Sequence, residues 1–320
     1  MSADFFEKIR SGCAAVVDRA RWVRIDADAL ETLASEMSSG PPPPQINPAI
    51  HYVGEPEATV AFILCLDAIN FGSGYFPYLV KRPGLSGYFT VASSLKELWE
   101  DTGALDARQL AGLSAADCAR IIGQDLAVPE VAELMGLFAR ALNDMGHFLS
   151  DQFGGDPTGP IAYAGGSAGR LAELLAEMPL YRDVSHYDGL EVPFFKRAQL
   201  TSADLAAVFD GKGYGEFHDL DRLTIFADNL VPHVLRRLGV LAYASDLANR
   251  VDAEQRLEAG SLEEIEIRAA AVHAVERCVG LLREAGTDAT AQQLDYALWT
   301  RGQSPEMKAH PRHRARSTYY

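Results

Sequence analysis

The sequence predicts an all-α protein with a small β-hairpin. Three observations lead there. Apolar residues recur at helical spacing in most segments that lie between loop signals. One stretch alone, 183–196, reads as two extended runs about an Asp188–Gly189 turn. No strands alternate with helices in the manner of a βαβ sheet. The chain has 320 residues, 48% of them hydrophobic, enough to bury a sizeable core. Its net charge of −15 excludes the basic surface that non-specific binding to nucleic acid requires, so an anionic ligand must meet a local basic pocket.

Taken in order, residues 4–37 read as two helices, the second opened by Asp26 or Asp28. SSGPPPP at Ser38–Pro44 is a stiff surface turn. Pro56 suits a first helical turn, and Ala58–Phe71 continues a helix that is apolar nearly all round and hence buried. Asp67 and Asn70 near its end form either a loop-anchoring pair or a ligand-facing one. His51, upstream, is either an acid–base group or a structural histidine, and the same choice holds for His233. Further helices are expected at Ser94–Thr102, Ser114–Gly123 and Pro129–Phe153. Gly154–Gly169 is the clearest break. No strand precedes it, so its glycines are not a nucleotide-binding fingerprint. It divides an expected N-terminal helical lobe, 1–155, from a C-terminal helical lobe, 156–320, which could together form one continuous domain.

Beyond the break come a short helix at Leu171–Met178, the hairpin, and a helix opened by Thr201. Gly211–Gly215, with Lys212 among its glycines, is a helix C-cap and loop or else a phosphate cradle. Phe226, Leu230, Val234, Leu238 and Leu241 then share one helical face. Pro232 belongs in a first turn, so this helix is expected to start near Asn229 and run through Leu241. Asp228 falls at its N-terminus, where free N–H groups and the helix dipole favour an ionised carboxylate. It serves there as a cap, as a catalytic acid, or as both. Ser261 with Glu264, and Thr290 with Gln293, read as capping boxes for Leu262–Glu284 and Ala291–Thr300. Glu264 and Arg268 stand at i and i+4, the spacing of an intrahelical pair. Asp295 and Trp299 share a stripe beside that of Leu294 and Leu298.

Four separated cysteines, Cys13, Cys65, Cys118 and Cys278, form no CxxC and are expected to be reduced thiols. The eight histidines show no metal-ligand spacing, so neither a metal nor a cofactor is expected. The opening MSADFFEKIR is not laid out as a signal peptide, and the longest apolar run, Val60–Leu66, is too short to span a bilayer. The expectation is a soluble cytoplasmic protein with no membrane partner.

Nine pieces of the chain carry more than their periodicity. They are LDAINF at Leu66–Phe71, SGYF at Ser86–Phe89, YRDV at Tyr181–Val184, FFKRAQL at Phe194–Leu200, GKGYGEFHDLDRLT at Gly211–Thr224, LTIFADNLVPHVLRRLGVL at Leu223–Leu241, EIEIR at Glu264–Arg268, LDYALW at Leu294–Trp299 and the terminal HRARSTYY. Together, and in this order, they resemble the queuosine salvage family, the queuosine 5'-phosphate N-glycosylases. The resemblance implies a helical fold related to DNA glycosylases, a small-molecule substrate, and hydrolysis of an N-glycosidic bond to release queuine and ribose 5-phosphate. It offers Asp228, in the FAD position, as the carboxylate that acts on an oxocarbenium-like sugar. Asn229 stands where the family motif has Tyr. Phe226 stacks on the base or is a core aromatic; Lys196 of FFKRAQL, otherwise a snorkelling surface charge, is favoured by the motif to bind the 5'-phosphate, and Arg197 substitutes for it or forms a structural ion pair. Queuine's amine and diol want acidic acceptors, a role for Asp295 with Tyr296 and Trp299 near, or for Asp67. Two rival readings are a base-excision glycosylase acting on nucleic acid, against which the acidic balance speaks, and a helical module that binds a base without catalysis.

Overall fold

Short polar side chains set most of the helix starts. In the computed structural model, which describes Asp4–Tyr320, the side chains of Asp4 and Asp26 accept backbone N–H groups at the starts of α1 (Phe5–Val17) and α2 (Ala27–Glu36), with β1 (Val23–Ile25) between them. Next come α3 (Pro56–Ala68), α4 (Gly87–Thr102), α5 (Ala107–Ala111), α6 (Ala115–Ile122), α7 (Pro129–Phe153), α8 (Gly159–Ala164) and α9 (Ala168–Leu175). The hairpin β2 (Val184–Tyr187) and β3 (Leu190–Pro193) leads into α10 (Lys196–Val208). After it lie α11 (Leu230–Arg237), β4 (Leu241–Tyr243), α12 (Ser245–Asp252), α13 (Leu262–Glu284), α14 (Ala291–Gly302) and α15 (Pro305–Lys308). The fold is all-α with small two-stranded antiparallel sheets, as the periodicity predicts.

The chain forms two compact units, each assembled from separate segments. The first takes in residues 1–44, 183–196 and 219–316; the second takes in 45–182, 197–218 and 317–320.

In the first unit α13 is the organising element, and α1, α2, α11 and α14 pack on it. Its Glu266 is fully buried and accepts the N–H groups of Arg21, Trp22 and Val23 at 2.9, 2.7 and 3.0 Å, with the Tyr187 hydroxyl at 2.7 Å. One carboxylate thus satisfies the N–H groups that lead into β1 and ties them to the hairpin. The hairpin pairs Val184 with Pro193 through Tyr187 with Leu190. Asp188 and Gly189 turn it with φ of 44° and 81°, the positive pair that a tight two-residue hairpin turn requires.

In the second unit α7 is the axis, contacted by α3, α5, α6 and α8. Gly146 lets α5 lie against α7: a Cβ there would stand 2.4 Å from the Ala111 nitrogen and 2.5 Å from the Ala107 carbonyl oxygen. Arg197 is 2% exposed and donates to the carbonyls of Ala68 at 2.5 Å and Thr318 at 2.9 Å, and to that of Leu180. Its guanidinium lies over the rings of Tyr181 and Phe71. It ties these backbone segments together.

Four local expectations change. The helix beginning after Asn229 stops at Arg237, not Leu241. Gly239, at φ 81°, turns the chain, and Leu241–Tyr243 pairs as a strand with Val23–Ile25, a partner too distant in sequence for periodicity to reveal. The helix assigned to Thr201 begins at Lys196, because Asp183 supplies a remote cap; the Thr201 hydroxyl instead donates back to the Arg197 carbonyl at 3.0 Å. α4 opens at Gly87, capped by Ser86, well before Ser94. Ser261 caps α13, but the Glu264 carboxylate accepts the N–H of Gly260 and so does not close a box. The box of Thr290 and Gln293 is complete.

Candidate active site

The segment Phe226–Asn229 is held residue by residue, all within the first unit. The Phe226 N–H donates to Asp295 Oδ1 at 2.9 Å. The Ala227 carbonyl accepts Arg268 Nε–H at 2.9 Å. Asp228 Oδ1 accepts the N–H groups of Leu230 and Val231 at 2.7 and 3.1 Å, so Asp228 does cap the α11 N-terminus. The Asn229 side-chain amide donates to the His313 carbonyl at 3.2 Å. From Leu223 to Leu235 every residue but Asp228 is buried. Both cap bonds fall on one oxygen of Asp228, which leaves the other outside them and the side chain partly open.

Two titratable groups, Asp295 and Arg312, bear on that carboxylate. Asp295, 6% exposed on α14, is pushed well above the usual carboxylate range by burial and then by the Asp228 charge, while the Phe226 N–H and Lys196 pull it back. Asp295 is thereby driven toward the neutral form. Arg312, on the tail, is lowered by burial and raised by Asp228, and its Nε makes no hydrogen bond among the described residues. Its neighbour His313 is pushed down to about 3, first by burial and then by Arg312, so it is a neutral imidazole at physiological pH. Lys196 is 5% exposed at the first residue of α10, its N–H on Asp183 Oδ2 at 3.1 Å. Tyr296 and Trp299 are half-buried on the helix that carries Asp295.

Lys196, Phe226, Asp228, Asn229, Asp295, Tyr296 and Trp299 therefore belong to one unit. His51, Asp67 and Asn70 belong to the second. Asp67 is fully buried in α3, and its charge, after burial and Asp204, helps push the Tyr88 hydroxyl upward. The Asn70 N–H donates to the Asp67 carbonyl at 3.3 Å. His51 Nδ1 lies 3.0 Å from the Asn47 carbonyl, and burial holds the ring below the ordinary imidazole range. His233 is likewise lowered by burial, with Nε2 2.9 Å from the Met307 carbonyl.

Sequence reading missed the tail and the Asp183–Arg268 pair. The basic run at the C-terminus was visible, but nothing in it says that Arg312 and His313 come to the α11 N-terminus. Arg268 was paired by spacing with Glu264. That contact is 3.9 Å, whereas Nη2 lies 2.6 Å from Asp183 Oδ2 and Nη1 3.0 Å from Oδ1. A planar fork finds its match in a carboxylate presented face on, which a neighbour one helical turn away does not offer.

No three His, Cys, Asp or Glu side chains among the described residues are arranged to hold a metal ion. No described helix is long and apolar enough to cross a membrane. The four cysteines are free and buried, their thiols pushed up by burial.

The sequence model of the queuosine salvage protein family matches residues 50–320. A protein of Sphaerobacter thermophilus is 38% identical over 311 residues, 95% of either chain. One of Bos taurus is 30% identical over 97% of this chain and 98% of its own, and one of Dictyostelium discoideum 32% identical over 82% and 79%. Each of the three is named queuosine 5'-phosphate N-glycosylase/hydrolase.

Proposed function

The chain belongs to the queuosine salvage protein family, and from that premise we infer that it is an N-glycosidase that hydrolyses queuosine 5'-phosphate to queuine and ribose 5-phosphate. The observation that carries this reading to particular residues is the pair of dissimilar carboxylates at the α11 N-terminus, Asp228 partly open and Asp295 buried.

In the reaction the bond between C1' and the base nitrogen breaks and water supplies the oxygen that ends on C1'. The proton that water gives up balances the one the departing base takes up. As the bond stretches, the sugar gains oxocarbenium character, and an ionised carboxylate stabilises that charge only as it develops. Asp228 is our candidate. Its two backbone donors fix the side chain in place before substrate arrives. Lys196, buried beside an acid-rich site, is assigned the 5'-phosphate. Phe226 offers a ring for the base. Asp295, with Tyr296 and Trp299, is assigned the queuine side chain, and Asp67 remains the other acidic candidate. The acidic charge of the chain favours a free nucleotide over nucleic acid as substrate.

The test is direct. Purified protein incubated with queuosine 5'-phosphate should release queuine and ribose 5-phosphate in equal amounts. Protein that binds queuine yet releases none from the nucleotide would leave only the binding-module reading.

A further inference from the structure

We propose that the buried Asp183–Arg268 pair is a positioning device that sets Asp228 and Lys196 relative to one another. The proposal rests on the roles just assigned to those two residues. The bonds form an unbroken chain. The Ala227 carbonyl accepts Arg268 Nε–H at 2.9 Å; Arg268 Nη2 donates to Asp183 Oδ2 at 2.6 Å; that oxygen also accepts the N–H of Lys196 at 3.1 Å. One end is the peptide before Asp228. The other is the first residue of the helix that carries the lysine.

The pair is built for rigidity. Nη1 completes a two-pronged contact on Oδ1 at 3.0 Å, and the guanidinium lies 4.0 Å from the centre of the Phe194 ring. Side-chain exposure is 1% for Arg268 and 3% for Asp183, so water does not compete for these bonds. Asp183 is anchored in turn, its carbonyl accepting the N–H groups of Phe194 and Phe195 at 2.9 and 3.3 Å. A buried ion pair is a poor way to gain stability, since apolar residues of like volume serve as well or better. It is a good way to fix two backbone segments at a set separation. A substrate held by its phosphate at one end and attacked at C1' needs that separation fixed, because small misplacement of a reacting group is costly to rate.

The experiment compares the full chain with Arg268→Lys and Asp183→Asn. Lysine keeps the charge but cannot reach Asp183 and the Ala227 carbonyl together. Asparagine keeps the shape and an acceptor for the Lys196 N–H but loses the ionic clamp. Single-turnover release of queuine is measured at saturating queuosine 5'-phosphate, each protein well below its own melting midpoint, together with KM and the affinity for free queuine. The expected result is release slowed about 10- to 100-fold with KM and queuine affinity changed by less than about threefold, a split that lost folding alone does not produce. Release within about threefold of wild type, or a loss that appears only in KM, overturns the proposal. Should Arg268→Lys not fold, Asp183→Asn decides by the same criteria. Asp228→Asn is assayed beside them. If it retains release, the assignment of Asp228 fails; if it is inactive while Arg268→Lys is active, the positioning role alone fails.

Discussion

Asp183 and Asp228 each accept N–H groups at the start of a helix, α10 and α11, and the two carboxylates meet different partners. At α10, Asp183 reaches the Lys196 N–H from 13 residues away and is clamped by Arg268. At α11, Asp228 reaches the Leu230 and Val231 N–H groups from next door, keeps one oxygen outside both bonds, and faces a second acid. The local device is the same, a carboxylate on free helix N–H groups. What differs is compensation: one charge is spent on a guanidinium, the other remains able to act on something that arrives. Capping therefore does not compete with the catalytic role we propose for Asp228. It holds in place the side chain that such a role would use.

The largest effect should come from Asp228→Asn, which keeps a cap acceptor and removes the charge. Turnover should fall on the order of 10³-fold or more in single-turnover base release, with queuine binding retained and stability changed by about 1 kcal/mol or less. Asp183→Ala should do the reverse in kind. It removes the two-pronged ionic partner of a buried guanidinium, so unfolding free energy should drop by roughly 3–5 kcal/mol in a denaturant titration. Equal effects of the two changes on stability would erase the contrast.

Lys196→Ala should be smaller. A charge-assisted contact contributes roughly 1.5–3 kcal/mol, so the 5'-phosphate substrate should lose about 10- to 100-fold while unphosphorylated queuosine is little affected. Equal loss on both substrates would remove Lys196 from the phosphate.

Asp295 sharpens the contrast through pH. Its affinity for protons is higher folded than unfolded, so its contribution to stability is complete below the unfolded value of about 3.9 and is lost as pH rises through the raised folded one. Asp295→Asn retains an acceptor for the Phe226 N–H but does not titrate. The stability of wild type minus that of Asp295→Asn should therefore fall as pH rises from acid toward alkaline, read from melting midpoints. A difference flat with pH would mean that Asp295 feels neither its burial nor Asp228. The smallest effect is the control: Asp26 caps α2 through one bond to the Ala29 N–H, far along the chain from these groups, and Asp26→Ala should cost about 1 kcal/mol with turnover unchanged.

The sequence made the helices legible because their causes are local. The proline of α7, the Ser114 cap and the box of Thr290 each act within one turn of the chain. The Asp-Gly hairpin was legible for the same reason. Failures came where a distant partner decides. Asp183 starts α10, β1 makes a strand of Leu241–Tyr243, and Asp183 joins Arg268 beside the Glu264 pair that the spacing predicts. The site behaves alike. Asp228 is a candidate through its place at a helix start in a recognisable motif, whereas the positions of Arg312 and His313 near it follow from tertiary folding that no spacing encodes. Each compact unit, too, is stitched from several segments, which composition shifts along a chain do not report.

The bonds that assemble the site are long in sequence: 69 residues separate Phe226 from Asp295, 84 separate Asn229 from His313, and 85 separate Asp183 from Arg268. Helices form on the microsecond scale from neighbouring residues, but loops of this size must close before such contacts exist. On refolding from denaturant, the far-ultraviolet helical signal should return ahead of hydrolytic competence. Activity would then serve as a clock for the last contacts to form.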